Sequence, residues 1–127
     1  MIIGVGTDIV ETGRIKDLLD RHGSSFTNRV LTHSETICAS ERRDPVPFIA
    51  GRWAAKEAIS KALGCGIGSQ CAWMDIEIMP DPTGKPRAVL SGKAKDTADS
   101  LGVKRIHLSI SHERGHALAN AILESKS

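Results

Sequence analysis

At 127 residues, 40% apolar and 25% charged, the chain has the size and composition of one soluble globular domain and reads as a single domain over residues 1–127. Aromatics make up 3% with no tyrosine, too few for a base-stacking platform, and a formal charge of +2 leaves no electrostatic footprint for nucleic acid as a partner. The odd trio Cys38, Cys65 and Cys71 matches no zinc spacing and reads as reduced thiols; with no basic leader and no apolar run of membrane length, a cytoplasmic protein is expected.

Residues 2–10 are rich in Ile and Val and predict a buried strand. A helix follows from Glu11 to His22, with Ile15, Leu18 and Leu19 inward, Arg14, Lys16 and Arg21 outward, and Gly23 as its stop. Thr32-His33-Ser34-Glu35 has the form of a capping box and opens a short helix. Ser40 to Asp44 is a polar loop. Asp44-Pro45 then starts the longest helix, which runs to Leu63 and stops at Gly64. Cys65 to Gln70 is a glycine-rich loop. Alternation from Trp73 to Met79 predicts a strand with Met74, Ile76 and Ile78 on one face and Asp75 and Glu77 on the other. The turn from Pro80 to Pro86 returns it to a strand over residues 87–90. Ser91 caps a helix that ends at Leu101 and Gly102. Ile106, Leu108 and Ile110 alternate in a further strand whose other face carries His107, Ser109 and Ser111. The tight turn Glu113-Arg114-Gly115 joins it to a last strand over residues 116–123. The expected fold class is α+β, a long central helix packed on a small antiparallel sheet.

Two segments carry chemistry. On a helical wheel of the long helix, Phe48, Ala55, Ile59, Ala62 and Leu63 gather on a core-facing side. Glu57 and Lys61 fall on the opposite side, one turn apart, among Ala50, Ala54 and Ala58 rather than the long polar residues of a solvated face. That is either an ordinary surface pair or a charged pair on an alanine strip left open for a ligand. The second segment is Gly4-Val5-Gly6-Thr7-Asp8, where Asp8 interrupts an apolar strand. A buried carboxylate must be paired, hydrogen-bonded or bound to metal; Asp8 either caps the following helix or faces a cation. Magnesium takes one or two protein carboxylates with phosphate oxygens and waters, so Asp8 and Glu57 would suffice if strand and helix meet. The glycines are not a dinucleotide fingerprint, since Ile9 stands where the third glycine belongs, and Ser91-Gly92-Lys93-Ala94 is no phosphate loop, since Ala94 lacks the magnesium-binding hydroxyl. No Gly-x-Ser-x-Gly elbow exists for a serine hydrolase. His22, His33 and His116 show no ligand spacing and are expected at the surface.

These residues resemble the holo-acyl-carrier-protein synthases, the small prokaryotic type of 4'-phosphopantetheinyl transferase. The markers span most of the chain: Gly6-Thr7-Asp8-Ile9-Val10-Glu11 with Arg14-Ile15, Arg29-Val30-Leu31-Thr32 with Glu35, Ala54-Ala55-Lys56-Glu57-Ala58 with Lys61-Ala62 and Gly64, Gly84-Lys85-Pro86, and Ser109-Ile110-Ser111-His112-Glu113. The resemblance implies the 4'-phosphopantetheinyl transferase fold and magnesium-dependent transfer of phosphopantetheine from coenzyme A to a serine of apo acyl carrier protein, with adenosine 3',5'-bisphosphate released. It implies that Asp8 and Glu57 ligate magnesium and that Lys61 meets the phosphate of the leaving nucleotide. It puts Gly64, Cys65 and Gly66, with Lys56, Arg42 and Arg43, near the phosphates of coenzyme A, and His107 by its adenine. Arg14 and Arg21 would face the carrier protein, and a homotrimer would hold its active sites between subunits. Two positions depart from the family pattern: Cys65 stands where threonine is usual and Trp53 where phenylalanine is frequent. Two other readings of the residues remain open at this level, a non-catalytic nucleotide- or coenzyme-A-binding module and a metal-dependent phosphohydrolase.

Overall fold

The computed structural model of the protein describes residues 1–125. Strand β1 (Ile2–Glu11) runs directly into helix α1 (Thr12–His22), followed by α2 (Ser24–Val30), α3 (His33–Ser40) and the long α4 (Val46–Ala62). A 3-10 turn at Trp73–Asp75 leads to β2 (Ile76–Pro80) and β3 (Pro86–Leu90), then α5 (Gly92–Leu101), β4 (Val103–Glu113) and β5 (His116–Ser125). The strands form two antiparallel sheets, one ordered β1-β5-β4 and the other the β2-β3 hairpin. The architecture is α+β, as the residue pattern predicts.

Small residues decide how closely α4 can lie on the larger sheet. The central strand β5 presents Ala117, Ala119 and Ala121, all fully buried. They pair with Val10, Asp8 and Gly6 on one side and with His112, Ile110 and Leu108 on the other. α4 answers with Ala54, Ala55 and Ala58, also fully buried. A Cβ built on Gly6 would sit 1.9 Å from the Ala58 carbonyl oxygen, and one on Gly4 2.3 Å from that of Ala62. Only glycine permits backbone to meet backbone there. The alanine strip of the long helix is therefore filled by β1, and Ala50, Ala54 and Ala58 are core rather than an open berth for a ligand.

Several local expectations need correction. The buried strand over 2–10 is buried on one face only: Val5 and Ile9 on its other face are 63% and 62% exposed. The strand expected from Trp73 begins at Ile76, because Trp73–Asp75 winds into a 3-10 turn, and Met74 lies at the surface. The reason is Asp75. Its carboxylate accepts from the Ala72 amide at 3.1 Å and from the Ala94 amide at 3.2 Å, so Asp75, not Ser91, satisfies the start of α5. At the start of α4 the chain enters one residue late, but Asp44 still accepts from the Val46 amide at 3.1 Å. Helix α2 has no counterpart in the pattern reading. It carries no side-chain cap and is held by burial of Phe26 and Val30.

The capping box at Thr32 forms as expected: Thr32 and Glu35 each accept from the other's backbone amide. Glu35 then does more. It is fully buried, its Oε1 lies 2.7 Å from the Lys56 ammonium, and its Oε2 accepts from the Ile78 amide at 2.7 Å. Lys56, also fully buried, spends its remaining protons on the Val30 and Trp73 carbonyls, at 2.6 and 3.1 Å. A buried charge is tolerated only when paired and fully hydrogen-bonded; this one ties α2, α3, the 3-10 turn and β2 to α4. No helix among the described residues is long and apolar enough to cross a membrane.

Candidate active site

Where β1 crosses the second half of α4, the two charged segments meet. Asp8 shares the inward face of β1 with Gly6 and Val10, and its side chain is 14% exposed. It makes no cap for α1. Its Oδ1 instead lies 2.9 Å from Lys61 Nζ, which also donates to the Thr7 carbonyl at 3.2 Å. Glu57, one helical turn before Lys61 and half-buried, faces the same gap. Its carboxyl is held above the ordinary carboxylate range, first by burial and then by the negative charge of Asp8, with Lys61 and Arg14 pulling the other way. Two carboxylates and one ammonium thus gather where strand and helix touch, with the Arg14 charge near enough to act on Glu57.

That gap suits a hard cation. Its donors are all carboxylate oxygens, and the electrostatic strain between Asp8 and Glu57 is what a divalent ion would relieve. Among the described residues no cluster of three or more His, Cys, Asp or Glu side chains could hold a metal. A cation gripped by Asp8 and Glu57 would therefore draw its remaining ligands from substrate and water, the habit of magnesium at phosphate sites.

The other expected site residues fall elsewhere, and two expectations fail on geometry. Lys56 does not approach the gap: it is fully buried with every proton committed, so it cannot meet a phosphate of coenzyme A. Gly64, Cys65 and Gly66 do not form an anion cradle. The Gly64 amide donates to the Lys61 carbonyl, and those of Cys65 and Gly66 both donate to Ser60. They close the C-terminal end of α4, where the helix dipole disfavours an anion. The Cys65 thiol lies 3.8 Å from the Ser60 carbonyl. Its neighbour Cys71 is fully buried, and burial pushes that thiol up to about 12. Cys71 is a core filler, not a nucleophile.

Arg42 and Arg43 are exposed in the loop before α4. Arg42 lies over the Phe48 ring at 4.8 Å, and the buried Arg52 over the same ring at 4.2 Å. Sequence reasoning missed Arg52, whose only local sign was a cation on a core-facing turn. Because α4 is 17 residues long, about 25 Å separates this basic loop from Gly64–Gly66. One chain cannot wrap both around one ligand phosphate. His107 is exposed on the outer face of the sheet, 2.9 Å from Glu124. With Asp81, Lys85, Arg87, Ser109 and Asn120 it lines a groove of about 550 Å³ between the β2-β3 hairpin and β4. Asp8 is on the inner face of the same sheet, so this groove and the carboxylate gap open on opposite sides of one chain.

Arg14 and Arg21 are exposed along α1, as expected. Arg14 lies beside α4 one turn before Glu57: its guanidinium carbon is 5.2 Å from the Trp53 ring centroid, and its charge is felt by Glu57.

A model of the 4'-phosphopantetheinyl transferase superfamily matches residues 4–121. The chain belongs to that superfamily. Its membership makes it an enzyme, a phosphopantetheinyl transferase. It is 47% identical over 126 residues to a protein of Vibrio cholerae named holo-[acyl-carrier-protein] synthase, covering 99% of this chain and 100% of that one. The crystal structure of holo-[acyl-carrier-protein] synthase from Neisseria meningitidis superposes with a TM-score of 0.92 at 37% identity, covering 98% of this chain and 100% of that one. A holo-(acyl-carrier-protein) synthase from Bacillus anthracis, solved in complex with CoA (3',5'-ADP), superposes with a TM-score of 0.84 at 41% identity and covers 99% of each chain. This transferase family shares the arrangement of a long helix on a small antiparallel sheet found here.

Proposed function

We propose that this transferase moves 4'-phosphopantetheine from coenzyme A to a serine of an apo acyl carrier protein, with magnesium, and releases adenosine 3',5'-bisphosphate. The observation that carries the reading is the convergence of Asp8, Glu57 and Lys61 from elements far apart in sequence. It is supported by the Vibrio cholerae relative, whose name specifies the acyl carrier protein, and by the Bacillus anthracis structure, which holds CoA (3',5'-ADP).

In this reading Asp8 and Glu57 hold the magnesium ion. When bound, magnesium supplies the positive charge that a transferring phosphoryl group and its diphosphate need. Lys61 then exchanges its Asp8 partner for the phosphate of the leaving nucleotide; half-exposed on the rim of the gap, it has room to do so. Glu57 is also assigned a second task, taking the proton of the attacking serine directly or through water. Arg14 and Arg21 steer an acidic carrier along α1.

The active site would be shared between copies of the chain in a homotrimer. Within one chain the His107 groove and the Asp8 gap open on opposite faces of the sheet, and the basic loop at Arg42-Arg43 is a helix length from Lys61. A neighbouring copy would bring one half to the other. The outer face also exposes Ile3, Val5 and Ile9, an apolar stripe suited to self-association. In that arrangement His107 meets the adenine, and Arg42 and Arg43 the phosphates.

The test is mass spectrometry of apo carrier protein after incubation with the chain, coenzyme A and magnesium. A phosphopantetheinyl adduct is expected, with adenosine 3',5'-bisphosphate in the supernatant. Cleaved coenzyme A without an adduct would make the protein a phosphohydrolase, and intact coenzyme A throughout a mere binder; either refutes the proposal. Sedimentation equilibrium at about three times the chain mass of 13.6 kDa is expected for the assembly.

A further inference from the structure

Arg14 is exposed, yet it does not hang free. Its guanidinium carbon lies 5.2 Å from the centroid of the Trp53 ring. Trp53 is half-buried and stacked at 4.6 Å and 39° on Trp73, with Phe26 6.0 Å away on the same cluster. Trp73 is anchored in turn, because its carbonyl accepts from the buried Lys56 ammonium at 3.1 Å. A continuous chain of contacts thus runs from the Glu35-Lys56 pair, through Trp73 and Trp53, to one surface arginine. Among the described residues Arg14 has no carboxylate partner within ion-pair distance, so its N–H donors remain free. Lys16 and Lys95, by contrast, are paired with Asp20 and Asp99 one turn along their own helices, and only Arg42, over Phe48, shares the ring-backed setting among the exposed cations of the described residues.

A guanidinium over an aromatic face is held flat while its edge donors stay available, and indole is the best such platform. Binding that must immobilise a long side chain loses affinity to the lost rotamer freedom; a side chain already held avoids that loss. The platform also sets Arg14 near the gap, because Trp53 precedes Glu57 by one turn of α4.

We propose that Trp53 is a positioning residue for carrier-protein recognition: its ring, braced by Trp73, preorganises the Arg14 guanidinium for an acidic side chain of the carrier. This rests on the functional reading above. Trp53 acts through Arg14, so its effect must vanish when Arg14 is gone.

The experiment is a double-mutant cycle on the full-length protein. Arg14→Ala, Trp53→Leu, the double variant and Arg14→Lys are assayed for the KM of apo carrier at saturating coenzyme A and for the KM of coenzyme A. Trp53→Leu alone is expected to raise the carrier KM about 3–10-fold, while the KM for coenzyme A moves less than about twofold. In the Arg14→Ala background the same change is expected to add less than about twofold. Arg14→Lys keeps the charge but not the flat stacking, and is expected to lose about as much as Trp53→Leu. Equal effects of Trp53→Leu with and without Arg14 would mean the ring touches the carrier directly or only packs, and would overturn the proposal. So would an Arg14→Lys enzyme indistinguishable from wild type, a readout that needs no change to the aromatic cluster and survives a Trp53→Leu chain that fails to fold. A wild-type chain that forms no adduct overturns the functional reading itself; normal transfer with a flat cycle overturns this proposal alone.

Discussion

Gly6→Ala adds one methyl group at the tightest point between β1 and α4. That methyl would stand 1.9 Å from the Ala58 carbonyl oxygen and 2.7 Å from the Ala62 amide nitrogen. Both are backbone atoms in the last turn of α4, so no rotamer change relieves the clash. Ordinary contact begins near 3.4 Å, so β1 must retreat from α4 by about 1.5 Å. The retreat opens a gap along fully buried Ala54 and Ala58, and overpacking with backbone displacement of this kind costs about 3 kcal/mol or somewhat more. For a chain of this length that lowers the midpoint of thermal unfolding by roughly 10–20 °C. Asp8 lies two residues along the same strand, so the shift also parts it from Glu57 and Lys61. A misplacement of about 1 Å at reacting groups costs on the order of 100-fold in rate. Gly13→Ala is the control: an exposed helical glycine with nothing within 4 Å of the added Cβ, expected to be neutral or stabilising by about 0.5–1 kcal/mol. Circular dichroism melting and the rate of carrier modification measured on all three proteins check the pair of effects. If Gly6→Ala melted within about 3 °C of wild type and transferred at the wild-type rate, close backbone contact would not be what brings the carboxylates together.

Three further outcomes follow from the same geometry. Glu57 has a folded-state pKa above its ordinary value of 4.5; between those two values the native chain holds a proton the unfolded chain has released, so this group makes stability fall as pH rises through the window. Glu57→Gln should therefore raise the metal-free melting temperature near neutral pH, flatten its pH dependence and abolish any rise with added magnesium, all measurable by scanning fluorimetry. Lys56→Met leaves Glu35 charged and unpaired in the core and should cost about 3–5 kcal/mol in urea unfolding, whereas a surface-like loss below about 1 kcal/mol would contradict the buried-pair assignment. Cys65→Thr replaces a weak thiol contact of 3.8 Å to the Ser60 carbonyl with a hydroxyl donor, and should stabilise the end of α4 by about 0.5–1 kcal/mol in the same assay.

What the residue pattern discloses and what it hides divide along the range of the interactions. Thr32 and Glu35 announce a helix start because a capping box is closed within four residues. The hairpin of β4 and β5 is legible from alternation and a turn at Gly115, whose φ is +80°. By contrast α2 depends on Phe26 packing near Trp53, 27 positions away, and nothing near it in sequence hints at a helix. Met74 and Asp75 fit a strand by alternation, but the amides of Ala72 and Ala94 compete for the Asp75 carboxylate and win. Lys56 shows the same limit more sharply. It stands next to Glu57 in sequence, and charge alone suggests a phosphate ligand; only the fold reveals that Glu35 holds it on the far side of the helix.

The glycines of β1 matter for a related reason. Gly4 and Gly6 fall short of a dinucleotide fingerprint, and their function is to let a strand lie against a helix closely enough for Asp8 to face Glu57. The closeness has an electrostatic consequence. Burial and the charge of Asp8 push Glu57 toward its neutral form. A chain without a bound cation thus carries a penalty at Glu57, which the divalent ion proposed above would relieve. The fold holds these groups together at a tightly packed seam, where buried Ala54 and Ala58 and the close approach at Gly6 leave the strand no freedom to retreat. Loosening the seam would relax the carboxylates and weaken their grip on a cation together, so stability of the core and function of the site cannot be tuned separately at Gly6.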